Sequence, residues 1–110
     1  MNYRYEADGD IAVFALSGRL DATTSPAFEA AVTEKINAGA AKLLLDLAQL
    51  DYISSAGLRV MLLIAKKLKQ TGGQVVLCCM QEQIQEVFDI AGFTPLFAIT
   101  ATVAEAKQQL

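Results

Sequence analysis

Lys42-Leu43-Leu44-Leu45-Asp46-Leu47, then Ala48-Gln49, then Leu50-Asp51-Tyr52-Ile53-Ser54-Ser55-Ala56-Gly57-Leu58-Arg59 is the stretch on which the fold turns. Residues 42 to 47 are short and almost continuously apolar, the pattern of a central strand covered on both faces. After the serines the period changes. Leu58, Met61, Leu62, Ala65 and Leu68 recur at helical spacing, Val60 and Ile64 widen the stripe, and Arg59, Lys66 and Gln70 lie opposite. That spacing predicts a helix from Ser54 or Ser55 to about Gln70, ended by Thr71-Gly72-Gly73. Leu63 falls among the polar positions, either as a single exposed leucine of the ordinary kind or as a contact for a partner. A buried strand feeding an amphipathic helix is the unit from which α/β domains are built.

Upstream, residues 3 to 7 and 11 to 17 flank Asp8-Gly9-Asp10, whose glycine suits a tight hairpin, so an antiparallel pair opens the chain. Ser25-Pro26 predicts a helix start with Ser25 as the cap. That helix runs to about Ala38, with Phe28, Ala31, Val32 and Ile36 on its packed side and Gly39 closing it. Downstream, residues 74 to 79 read as a strand, and Ile84, Val87, Phe88 and Ala91 mark a helix over 82 to 91 closed by Gly92. A short strand near Leu96 to Thr100 precedes a last helix, for which Thr102 and Glu105 have the spacing of a capping box. The expected order is β-β-α-β-α-β-α-β-α. Right-handed crossovers then place four helices on a mixed sheet of about five strands.

With 110 residues, 54% of them hydrophobic, the chain can bury one core, so residues 1 to 110 are expected to form one domain. A net charge of −3 without a basic stretch argues against a nucleic-acid partner. No apolar run approaches the roughly 20 residues of a membrane span, and the start Met1-Asn2-Tyr3-Arg4-Tyr5-Glu6 lacks a signal region, so a cytoplasmic location without membrane insertion is expected. Histidine is absent, which removes the usual base for Ser or Cys nucleophiles and the commonest zinc ligand. With no nucleophile and base to pair, an enzyme is not expected. Cys78 and Cys79, as neighbours in a strand, should point to opposite faces; they read as buried thiols rather than as a disulfide, redox pair or metal site.

Small residues at Ser54, Ser55, Ala56 and Gly57 leave the start of the long helix uncovered, and such an end stabilises an anion through its free N–H groups and dipole. A phosphate on Ser55 would be accepted there. Serines before a helix are also common as plain caps. The turn lacks the Gly-rich pattern and Lys of a nucleotide-binding P-loop. Asp46, charged within an apolar strand, either sets its carboxylate beside the serine turn or bonds to backbone N–H groups. The loop Gly18-Arg19-Leu20-Asp21-Ala22-Thr23-Thr24-Ser25 leaves another strand at its C-terminal end, where ligands of such sheets collect. A suitable strand order would place Asp21 and Thr23 beside Ser55; otherwise they serve loop hydrogen bonds alone.

These motifs resemble the STAS domain family, in particular the bacterial anti-sigma-factor antagonists. The likeness takes in the opening hairpin, Ser17-Gly18-Arg19-Leu20-Asp21, Leu45-Asp46-Leu47, the segment Asp51 to Leu58, and Phe88-Asp89-Ile90-Ala91-Gly92-Phe93. It implies a partner switch. The unphosphorylated antagonist binds an anti-sigma factor that is also a serine protein kinase and frees a sigma factor; phosphorylation ends the complex, and a metal-dependent serine phosphatase restores it. ATP and magnesium belong to the kinase, so no cofactor is implied for this chain. The acceptor maps to Ser55, and partner contacts to Asp21, Thr23, Ser54, Ser55, Ala56, Gly57, Leu58 and Arg59. Well-studied members carry Asp before the acceptor and Ser or Thr after it, while many relatives share the serine-serine-alanine-glycine version found here. Here Ser54 and Ala56 stand in those places, which makes Ser54 a competing acceptor. The alternative within the same family is a constitutive subunit of a lipid-transport or stress-sensing complex, in which Ser55 only starts a helix.

Overall fold

A computed structural model describes residues 1–110. Five strands and four helices alternate as expected: β1 (Asn2–Asp8), β2 (Ile11–Leu20), α1 (Ser25–Asn37), β3 (Lys42–Ile53), α2 (Ser55–Gln70), β4 (Gln74–Cys78), α3 (Glu82–Ile90), β5 (Ala98–Thr100) and α4 (Val103–Gln109). A short 3-10 turn, Thr94–Leu96, precedes β5. The strands lie in the order β1-β2-β3-β4-β5, antiparallel between β1 and β2 and parallel thereafter. Asp8 pairs with Ile11, so the hairpin loop is Gly9-Asp10, and Gly9 takes a φ of 62°. Glycine, lacking a Cβ, reaches that angle at no steric cost.

Alternation along β3 explains its apolar run. Leu43, Leu45 and Leu47 enter the larger core with Phe14 of β2, Phe28 of α1, Ile64 of α2 and Phe88 of α3. Leu44 points the other way, to a smaller cluster with Val13, Val76, Cys78 and Ala106 of α4. Three helices therefore cover one face and α4 the other. Thr102 caps α4 as expected, accepting from the Glu105 N–H at 3.1 Å while its hydroxyl donates to the Glu105 carboxylate.

Several boundaries differ from the sequence reading, each for a local reason. β3 continues past Leu47 to Ile53 because β2 runs alongside it to its end and pairs with it through Ser17↔Gln49, Gly18↔Leu50, Arg19↔Tyr52 and Leu20↔Ile53. Ser25 is not the cap of α1. Its N–H already donates to the Asp21 carbonyl at 2.8 Å, so it lies inside the first turn, and its hydroxyl is buried without a partner. The buried side of α2 is centred on Val60, Met61, Ile64 and Leu68, which leaves Leu62, Leu63 and Ala65 half-buried. Ala91 is exposed just beyond the end of α3. Cys79 lies outside β4 with a φ of 62°, so the strand alternation expected of the two cysteines stops at Cys78.

Candidate functional site

β3 hands over to α2 at Ser54, which is held by three bonds. Its hydroxyl oxygen accepts from the Gly57 N–H at 3.3 Å, its carbonyl accepts from the Leu58 N–H at 2.9 Å, and its own N–H donates to the Leu20 carbonyl at 2.9 Å. Ser54 is therefore the true cap of α2. Ser55 is the first residue of that 16-residue helix and is exposed, with its hydroxyl free of bonds to the rest of the chain. The N–H groups of Ser55 and Ala56 precede the first intrahelical bond and point out of the positive end of the helix dipole. Arg59 is exposed four residues on, hence on the same helical face, and joins no ion pair.

Strand order brings the β2–α1 loop against this turn, since Leu20 pairs with Ile53 and accepts from Ser54. The fit is tight at Gly57. A Cβ there would lie 2.7 Å from Ile53 Cγ1 and 2.8 Å from the Leu20 carbonyl oxygen. Gly57 and Leu58 are buried and Ala56 half-buried, so they seat the turn, while Ser55 and Arg59 present it to solvent. Asp21 is committed locally. Its Oδ1 accepts from the Thr23 and Thr24 N–H groups at 3.0 and 3.2 Å and from the Thr24 hydroxyl at 3.2 Å. The backbone bond from Thr24 first, helped by Thr23, the Thr24 hydroxyl and Arg19, holds its carboxyl below the ordinary value against the opposing effect of burial. Thr23 is exposed. The Arg19 guanidinium sits 4.1 Å from the centre of the Tyr52 ring and 3.8 Å from the Asp21 carboxylate, a cation on an exposed aromatic beside the serines.

Asp46 follows the second of its two readings. Its Oδ1 accepts from the Ala48 N–H at 3.0 Å, and Ser54 lies eight residues further on, roughly 25 Å of extended strand. Gln81 is a supporting residue that the sequence did not single out. β4 pairs with β3 only as far as Asp46↔Cys78, which leaves the following β3 carbonyls without a strand partner. The Gln81 amide takes over, donating to the carbonyls of Ala48 at 3.1 Å and Leu50 at 3.0 Å and to the Asp51 carboxylate at 3.2 Å. Nothing in local pattern marks a glutamine for this; the signal is only that β3 outlasts β4. Gln81→Ala is expected to cost about 1–2 kcal/mol by stranding these part-buried acceptors. Urea unfolding should show a lower midpoint at an unchanged m-value, whereas an unchanged midpoint would mean that water serves the carbonyls equally well.

Comparison with known proteins bears on the family and the fold. The family model described as the STAS domain matches residues 2–106. BtrV of Bordetella bronchiseptica, named as a candidate anti-sigma factor antagonist, is 41% identical over 87 residues, 79% of this chain and 75% of that protein. The anti-sigma-B factor antagonist of Listeria monocytogenes is 30% identical over 95 residues, 86% of this chain and 82% of its own length. Among solved structures, a candidate anti-sigma factor antagonist from Thermotoga maritima superposes with a TM-score of 0.93 at 23% identity, covering 97% of this chain and 92% of that one.

Proposed function

Because this chain belongs to the STAS domain family, we propose that it is an anti-sigma-factor antagonist, a phospho-regulated binding protein and not an enzyme, with residues 1 to 110 acting as one domain. The unphosphorylated form holds an anti-sigma factor that is also a serine kinase. Phosphorylation of Ser55 ends that complex, and a serine phosphatase resets it. The similarity to proteins named as antagonists in Bordetella and Listeria supports the partner class.

One observation carries the choice of residue: the Ser55 hydroxyl is exposed and free, whereas the Ser54 hydroxyl is engaged in capping α2. A phosphate on Ser55 would meet the open N–H groups of the first turn and the free Arg59, so the fold accepts it without rearrangement. The same group adds about −2 charge to the binding surface. No helix is long and apolar enough to cross a membrane, which is compatible with a partner switch operating in the cytoplasm.

The test is incubation with the anti-sigma kinase of the same organism, ATP and magnesium, followed by site mapping by mass spectrometry. Phosphate is expected on Ser55, retained in Ser54→Ala and lost in Ser55→Ala. Phosphate on Ser54 alone would reassign the acceptor. No phosphate at all would favour the constitutive subunit, in which Ser55 merely begins a helix.

A further inference from the structure

Cys78 and Cys79 lie on the face of the sheet opposite the larger core, and they do not diverge as neighbouring strand residues do. β4 ends at Cys78, and Cys79 adopts a φ of 62°, a left-handed conformation that non-glycine residues seldom take. The two sulfur atoms and a carboxylate oxygen of Asp46 come within 4.8 Å of one another. Two neighbouring strands build this cluster, since Asp46 pairs with Cys78 across the β3–β4 ladder. Both ends are anchored. The Cys79 N–H donates to the Thr100 carbonyl at 3.3 Å, and the Ala48 N–H fixes Oδ1 of Asp46, leaving its other oxygen for the cluster. Asp46 also lines a surface groove with Arg4, Ala15, Val103 and Lys107, while Cys78 is buried and Cys79 half-buried behind it.

We propose that Asp46, Cys78 and Cys79 form a three-donor binding site for a thiophilic divalent ion of the zinc class. Two sulfurs and one carboxylate are a donor set for zinc rather than for magnesium or calcium, which take oxygen alone. Zinc–sulfur bonds of about 2.3 Å in a tetrahedron set ligand atoms roughly 3.8 Å apart, so side-chain adjustments of about 1 Å close the site. The bonds from Ala48 and to Thr100 supply the outer support that such ligands need. An ordinary cysteine thiol is protonated at neutral pH, and the metal takes the thiolate. Each thiol must therefore give up its proton to the solvent as its sulfur–metal bond forms. Binding releases two protons per ion and tightens as pH rises. Arg4 and Glu6 of β1 and Lys107 of α4 line the groove at Asp46, and Lys107 is already ion-paired with Asp8 of β1.

The reduced full-length protein, titrated with cadmium as an optical stand-in and with zinc against a competing chelator, tests this. One equivalent should bind, with a thiolate-to-cadmium absorption band in the near ultraviolet and two protons released. Cys79→Ser should abolish the band. Asp46→Asn, whose amide oxygen can still accept from Ala48, should weaken binding by at least the roughly 10-fold that loss of even an outer-shell partner costs. Absence of the band at one equivalent, or an undiminished band in Cys79→Ser, would overturn the proposal. Should Cys79→Ser fail to fold, as judged by circular dichroism, the Asp46→Asn titration decides it.

Discussion

Ser55→Asp is expected to weaken binding to the anti-sigma factor by at least about 100-fold, or some 2.7 kcal/mol. Ser55 starts α2 on an exposed surface beside the Arg19–Tyr52 pair, where a partner that covers the turn must desolvate whatever side chain stands there. A carboxylate buried against a surface shaped for a hydroxyl is left without its water, and mismatched charge across an interface costs several kcal/mol. A phosphate, with up to twice that charge, should do more. Ser55→Ala is the control. It removes the hydroxyl without adding charge, so calorimetry should find its affinity close to wild type and insensitive to kinase and ATP. Equal affinity for Ser55→Asp and wild type would place the contact surface elsewhere on the domain.

Gly57→Ala should lose about 3 kcal/mol of stability, although helix propensity alone predicts a gain of roughly 1 kcal/mol. The added methyl would stand 2.7 Å from Ile53 Cγ1 and 2.8 Å from the Leu20 carbonyl oxygen. Ile53 can turn aside. Leu20 cannot, because that oxygen belongs to the β2–β3 ladder and accepts the Ser54 N–H. Relief would require α2 to lift at its first turn, which displaces Ser55 as well. A thermal midpoint lower by roughly 10 °C is the expected result. A midpoint raised by the substitution would show that α2 is not seated on Leu20 as described.

Element order, the Gly9 hairpin, the start of α2 and the Thr102 cap were all readable from the chain, because each rests on residues within one turn of one another. What escaped depends on distant partners. Gln49 and Asp51 interrupt the apolar run after Leu47, so the second half of β3 looks like loop until β2 is known to lie alongside it. Ser25 has the composition of a cap, but the Asp21 carbonyl pulls it into the helix, which starts one residue earlier than expected, with Thr24 at the cap. Gln81 matters only because β4 stops short, a fact held by residues thirty positions away from those it serves. The serine turn was legible as a place. Which of its two hydroxyls is free became visible only when Ser54 was found bonded to Gly57.

Ser55 stands between a cap pinned by three bonds and a glycine with no room to spare. An enzyme that modifies it therefore meets a rigid, finished epitope, not a loose chain to be threaded into a cleft, and must have a surface moulded to that shape. On the proposed function, short peptides copying residues 50 to 60 would lack what such an enzyme reads, and so would a newly made chain that has not yet docked β2 against β3. With Ser55 as the proposed acceptor, modification would be confined to molecules that have completed folding.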